Sequence, residues 1–210
     1  MVSITNAAPR ASARTRGNSR GEGTRAKLLD AALQAFASHG FHGTATRDIA
    51  AAAHMSPAAV YVHYRTKEDL LFELSLRGHL AAQEVVEAAA TSASSPDVQL
   101  RAIARDHTTW HARYNTLARV VQYEMAALAP EHAKQVASIR RAIETRVRDI
   151  ISTGTSSGLF RVPNPSMAAL AVLSLGIDVA RWYREGRGWS AQDIGDQYAE
   201  LALRLVGYQN

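Results

Sequence analysis

Apolar residues recur at helical spacing through almost the whole chain, and no stretch alternates with the two-residue period of a strand. Leu28, Leu29, Ala32, Ala35 and Phe36 give an apolar face to a helix over Thr24–Ser38, with Gly40 as its left-handed stop and Phe41 folding back onto the core. Thr46 is placed to cap a short second helix with Ile49, Ala50 and Ala53 inward. His54-Met55-Ser56 is a turn, Ser56 caps a third helix, and Pro57 occupies its first position, where a missing N–H is harmless. Thr66 and Asp69 form a capping box that opens a long helix, Lys67–Ala90. Further helices are predicted over Asp97–Tyr114, Thr116–Leu128 and Glu131–Thr153, then from Pro165 or Ser166 to Arg184. The last helix is capped by Ser190 and carries Ile194, Tyr198, Leu201, Leu203 and Leu205. The chain therefore reads as all-α, with about nine helices.

Two of these helices, of about two turns each and joined at His54-Met55-Ser56, fit a helix-turn-helix. An ordinary helical hairpin has the same spacing, and charge favours the first reading. Residues 1–67 hold nine Lys/Arg and three Asp/Glu, a net +6, while the remainder carries −1. A basic first third on a neutral body suits a nucleic-acid reader. Residues 1–20 contain Arg10, Arg14, Arg16 and Arg20 with no acid and read as a disordered basic arm. The expected division is this arm, a helix-turn-helix domain over 21–67, and a ligand-binding and dimerisation domain over 68–210.

Residues 25–72 resemble the DNA-binding domain of the TetR family of transcriptional regulators. The resemblance is carried by Ala31-Ala32 through Phe36-Ala37, His39-Gly40-Phe41, Thr46-Arg47-Asp48-Ile49-Ala50, Met55 through Tyr64, and Thr66 through Leu71. Val60 and Tyr64 stand where the family usually has Leu and Phe, and both keep the apolar role. The resemblance implies a homodimer, paired through the last two helices, that binds a palindromic operator in double-stranded DNA. Thr46, Arg47, Tyr61, His63 and Lys67 are the candidates for phosphate contact. Ser56, Pro57, Ala58, Ala59 and Val62 are left for the bases. This third helix has no Arg, Lys, Asn or Gln, so bidentate purine contacts are absent from it, and its small apolar side chains suit thymine methyls.

The middle helices place polar and aromatic groups in apolar surroundings. Trp110, His111, Tyr114, Tyr123 and Met125 are the candidates for contact with a small-molecule effector. His107 and His111 are four apart, but no further ligand at matching spacing completes a metal set, and surface histidines are expected. No cofactor is implied. Arg181-Trp182-Tyr183-Arg184-Glu185-Gly186, followed by Ser190 through Ile194, is similar to a segment of TetR-like regulators of lipid, sterol and acyl-CoA catabolism, with Glu185 where those often have proline, which implies an amphipathic effector of that class. A drug-responsive repressor of an efflux system and a ligand-independent DNA binder are the alternatives. A chain with no cysteine, no apolar leader and no uncharged run long enough to span a bilayer is expected in the cytoplasm, away from membranes. It lacks a nucleophile–base pair and a glycine-rich phosphate loop, so no enzyme is expected.

Overall fold

The structure, a computed structural model, describes residues 19–209, with side chains from residue 21 onward. The basic arm expected at the N-terminus lies outside the described residues, apart from Ser19 and Arg20 at the start of the first helix. Nine α-helices follow in order among the described residues: α1 (Ser19–Gly43), α2 (Thr46–Ala52), α3 (Pro57–His63), α4 (Lys67–Thr91), α5 (Pro96–Arg113), α6 (Asn115–Tyr123), α7 (Pro130–Ser156), α8 (Pro165–Trp182) and α9 (Ala191–Leu205). A 3-10 turn, Met125–Ala127, separates α6 from α7. The helices form two compact units. One runs through Ala81 and takes in Thr116–Val136; the other comprises Ala82–Asn115 and the chain from Ala137 onward.

The first unit closes on Leu28, Leu29, Ala32 and Phe36 of α1, Ile49 of α2, Val60 of α3 and Leu70, Leu71 and Leu74 of α4, all buried. Leu117, Val120 and Val121 of α6 complete the same cluster. Inside α1 the backbone leaves helical geometry at Gly40 (φ 71°, ψ 168°), a region that glycine enters without Cβ strain. The break turns the chain so that the Phe41 ring lies 5.5 Å from that of Phe36.

Lys67 then fastens this corner. Its Nζ donates to the carbonyls of Phe41 (2.7 Å) and Thr44 (2.9 Å) and sits 4.4 Å from the Phe41 ring centroid. Helix ends leave carbonyls without intrahelical partners, and a cation is a favourable partner for them. Replacing it, Lys67→Met, keeps the stem but leaves both carbonyls without the ammonium. A loss of about 1–2 kcal/mol is expected in a urea titration. An unchanged midpoint would show that water serves those carbonyls as well.

The second unit is built on α5, which packs against both α8 and α9. α5 is buried nearly all round, from Leu100 and Ile103 to Trp110 and Ala112. Ala112, Val179, Tyr183, Ala191 and Ile194 form a cluster at one end, with Tyr198 against it.

Candidate nucleic-acid interface and effector domain

The α2–α3 segment is fixed by caps at both helices. Ala45, not Thr46, is the N-cap of α2; Thr46 is the first helical residue. Ala45 has extended backbone geometry, and the Asp48 carboxylate accepts its N–H at 3.3 Å, so the cap comes from the third position of the helix. In α3, Ser56 Oγ accepts the Ala59 N–H at 3.2 Å with Pro57 at the first position, as expected. The turn between them places His54 at φ 57°, a left-handed residue that is not glycine. At α4, Thr66 and Asp69 exchange backbone-to-side-chain bonds of 2.9 and 3.0 Å, completing the expected box.

The candidate DNA residues on these capped helices divide between exposed and half-buried positions. Arg47, Ser56, Pro57, Ala58, Tyr61 and Val62 are exposed. The Arg47 guanidinium makes only a loose 3.5 Å ion pair with Asp48, and its side chain is 82% exposed. Thr46, Ala59 and His63 are half-buried. Lys67 is half-buried with two of its three protons committed to the α1 corner.

Tyr64 closes α3 and faces inward, 7% exposed. Its hydroxyl has no hydrogen-bond partner, and burial, reinforced by Glu73, pushes its pKa up to about 12. A buried hydroxyl without a partner is a stability debt. Tyr64→Phe is therefore expected to be neutral or stabilising by up to about 1 kcal/mol. Calorimetry of the variant checks this, and a clear loss of stability would mean the hydroxyl is hydrated.

In the second unit, α5 lines up four rings. The centroids of His107 and His111 lie 4.2 Å apart, those of Trp110 and His111 4.9 Å, and those of Trp110 and Tyr114 5.3 Å. His111 Nδ1 lies 2.8 Å from the His107 carbonyl oxygen. Both histidines are buried, at 4% and 7% exposure, which corrects the expectation of surface histidines. The reason is that α5 is covered by α8 and α9, so even its polar positions face neighbours. Burial, with His111 alongside, holds the His107 pKa well below the usual imidazole value, so the ring is neutral at pH 7. Of the effector candidates, Trp110, His111 and Tyr114 thus stand together. Tyr123, 61% exposed, and Met125 belong to the other unit.

Two comparisons decide the family. Residues 28–74 match the bacterial regulatory proteins of the tetR family, and residues 93–206 match the tetracyclin repressor-like C-terminal domain, which by itself spans more than half of the chain. The chain belongs to the TetR family. It is accordingly a DNA-binding transcriptional regulator and not an enzyme. A TetR-family regulatory protein of known structure from Rhodococcus RHA1 is 41% identical, with a TM-score of 0.85 over 89% of this chain and 98% of its own. The transcriptional repressor KstR2 of Mycobacterium tuberculosis strain H37Rv is 29% identical over 197 residues, 85% of this chain and 90% of that protein. AibR, solved with isovaleryl coenzyme A and operator DNA, shares the fold at a TM-score of 0.79 and 22% identity, covering 89% of this chain and all of its own.

Within this TetR fold the sequence reading singled out His107 but missed Thr108 and Thr109, which α5 buries beside it beneath α8 and α9. The available signal was the pair of glycines inside those two helices. A Cβ on Gly176 of α8 would lie 2.8 Å from His107 Nδ1 and 2.9 Å from Thr108 Oγ1; one on Gly195 of α9 would lie 2.1 Å from Thr109 Oγ1. The outer faces of α8 and α9 carry Met167, Leu170, Leu175, Trp182, Leu201 and Leu205, all exposed. Leu173 and Ala180 of α8 are buried inside the unit, so they lie on its inward face.

Proposed function

We propose that this protein is a dimeric repressor that leaves its operator when a small amphipathic effector, an acyl-CoA or related lipid or sterol metabolite, binds the second unit. The observation that carries the reading is the separation of roles within one chain. An exposed, capped helix-turn-helix stands in one unit, and a buried row of imidazole and aromatic rings stands in the other. Apolar pockets with a few convergent polar groups are the usual form of a small-molecule site. The repressor name of KstR2 and the isovaleryl coenzyme A bound to AibR support the effector class.

Thr46, Arg47, Tyr61, His63 and the remaining proton of Lys67 would hold phosphate, and Ser56, Pro57, Ala58 and Ala59 would face the bases. Pairing would use the exposed apolar stripes of α8 and α9, because an apolar face of that kind is unfavourable in water and a two-fold dimer matches a palindromic site. Such a regulator works in the cytoplasm; among the described residues no helix is long and apolar enough to cross a membrane.

The test is thermal melting against acyl-CoA thioesters, free fatty acids and cationic amphiphiles, paired with operator binding. A ligand at 100 times its Kd stabilises by about 2.7 kcal/mol. Stabilisation by thioesters together with release of DNA supports the proposal. A response confined to cationic amphiphiles would replace the effector class with a drug-like one. Silence across the panel would overturn ligand control by these compounds.

A further inference from the structure

α3 presents an outward face that is unusual for a helix expected to read DNA. Ala58, Tyr61 and Val62 stand at i, i+3 and i+4 and so share one side of the helix. All three are exposed; Tyr61 is 54% and Val62 80% accessible, while Val60, on the opposite side, is fully buried. A single exposed valine means little on a protein surface. Here, however, the whole outward face is apolar apart from the Tyr61 hydroxyl, and α3 contributes no amide, guanidinium, ammonium or carboxylate anywhere along Pro57–His63. The four base pairs differ in the major groove by donors, acceptors and one apolar group, the thymine C5-methyl. A face without amide or charged side chains lacks the strong bidentate base contacts, and its apolar groups, Ala58 and Val62, match the last of these.

We infer that Val62, with Ala58 beside it, reads the operator through thymine C5-methyl groups, so that sequence selectivity rests on apolar contact instead of bidentate hydrogen bonding. This rests on the DNA-binding role proposed for α2 and α3. The valine side chain suits the task. It is β-branched with essentially one free torsion, so it loses little rotamer freedom when a methyl packs against it. Arg47 is the nearest rival reader in the segment, with its side chain 82% exposed, but it stands on α2, paired loosely with Asp48.

The experiment selects a duplex from a random-sequence pool with the full-length protein. Binding is then compared with the same duplex carrying deoxyuridine for thymine, one position at a time. Deoxyuridine removes the methyl and leaves every groove donor and acceptor in place. Loss of one methyl contact is expected to weaken binding about fourfold, and a symmetric pair of them about fifteenfold. Val62→Ala, at a site exposed enough to leave folding intact, should lower affinity for the thymine duplex and shrink the thymine–deoxyuridine gap. Arg47→Ala should weaken both duplexes alike. Enrichment of a sequence followed by equal affinity for both duplexes overturns this inference and leaves the DNA-binding role standing. A gap that persists undiminished in Val62→Ala also overturns it, because the discrimination would then come from DNA shape. Failure to enrich any sequence would remove specific DNA binding itself, and this inference with it.

Discussion

Gly195→Ala is expected to destabilise the second unit by about 3 kcal/mol, the upper end of the usual penalty for overpacking. An added Cβ would lie 2.1 Å from Thr109 Oγ1 and 2.7 Å from the Arg105 carbonyl oxygen. The first contact involves a β-branched side chain with few rotamers, and the second involves helix backbone, so neither can yield without moving α5 against α9. For a protein of this size the loss corresponds to a fall in Tm of about 6–12 °C. Combining the change with Thr109→Ala should recover part of the loss, since the Oγ1 clash disappears while the Arg105 carbonyl remains. Thr109→Ala alone should be mild, because that hydroxyl is buried without a hydrogen-bond partner and its removal frees no donor or acceptor elsewhere. A Gly195→Ala variant that melts with the wild type would mean that α5 and α9 are not held at this spacing.

The second large effect is a loss of stability in mild acid, traced to His107. Its folded pKa lies well below the ordinary value of 6.5 because burial disfavours the charged ring and His111 adds to the penalty. The unfolded chain therefore binds a proton that the folded chain refuses. Above pH 6.5 neither state is protonated there, and the group leaves stability unchanged. Below it, stability falls as pH falls, by up to about 1.4 kcal/mol per pH unit for one proton, until the folded pKa is reached. Urea titrations between pH 8 and 5 on wild type and His107→Leu should run in parallel at the alkaline end and diverge below pH 6.5, with the wild type losing more. Parallel curves through the whole range would show that His107 is hydrated or protonated in the folded protein. Gly176 lets α8 approach His107 closely, since a Cβ there would lie 2.8 Å from the ring Nδ1, and the ring is buried.

Much of the first unit was legible in the chain. The Ser56 cap, Pro57 behind it, the Thr66–Asp69 box and the Gly40 stop are local devices, decided by residues within three or four positions of one another. For the same reason helical spacing located the later helices to within a few residues, except that the helix expected to reach Leu128 ends at Tyr123 and gives way to a 3-10 turn. The misplaced cap at Thr46 is a local error of the same scale, since Asp48 reaching back to Ala45 satisfies the same backbone end from the other side.

What sequence could not supply was the neighbour across space. Lys67 reads as a phosphate ligand from its place at a helix N-terminus; that it reaches 26 residues back to Phe41 depends on how α1 and α4 pack. His107 and His111 read as surface residues because a histidine is more often exposed than fully buried, and only the arrangement of α8 and α9 around α5 encloses them. Leu173 and Leu175 are both leucines on one helix, and it is the packing of α8 that turns the first inward and leaves the second exposed. The sequence by itself determined the helices, most of their caps, the basic first third and the family. The tertiary structure decided which polar groups lost their water, because burial is set by distant segments that no local pattern encodes.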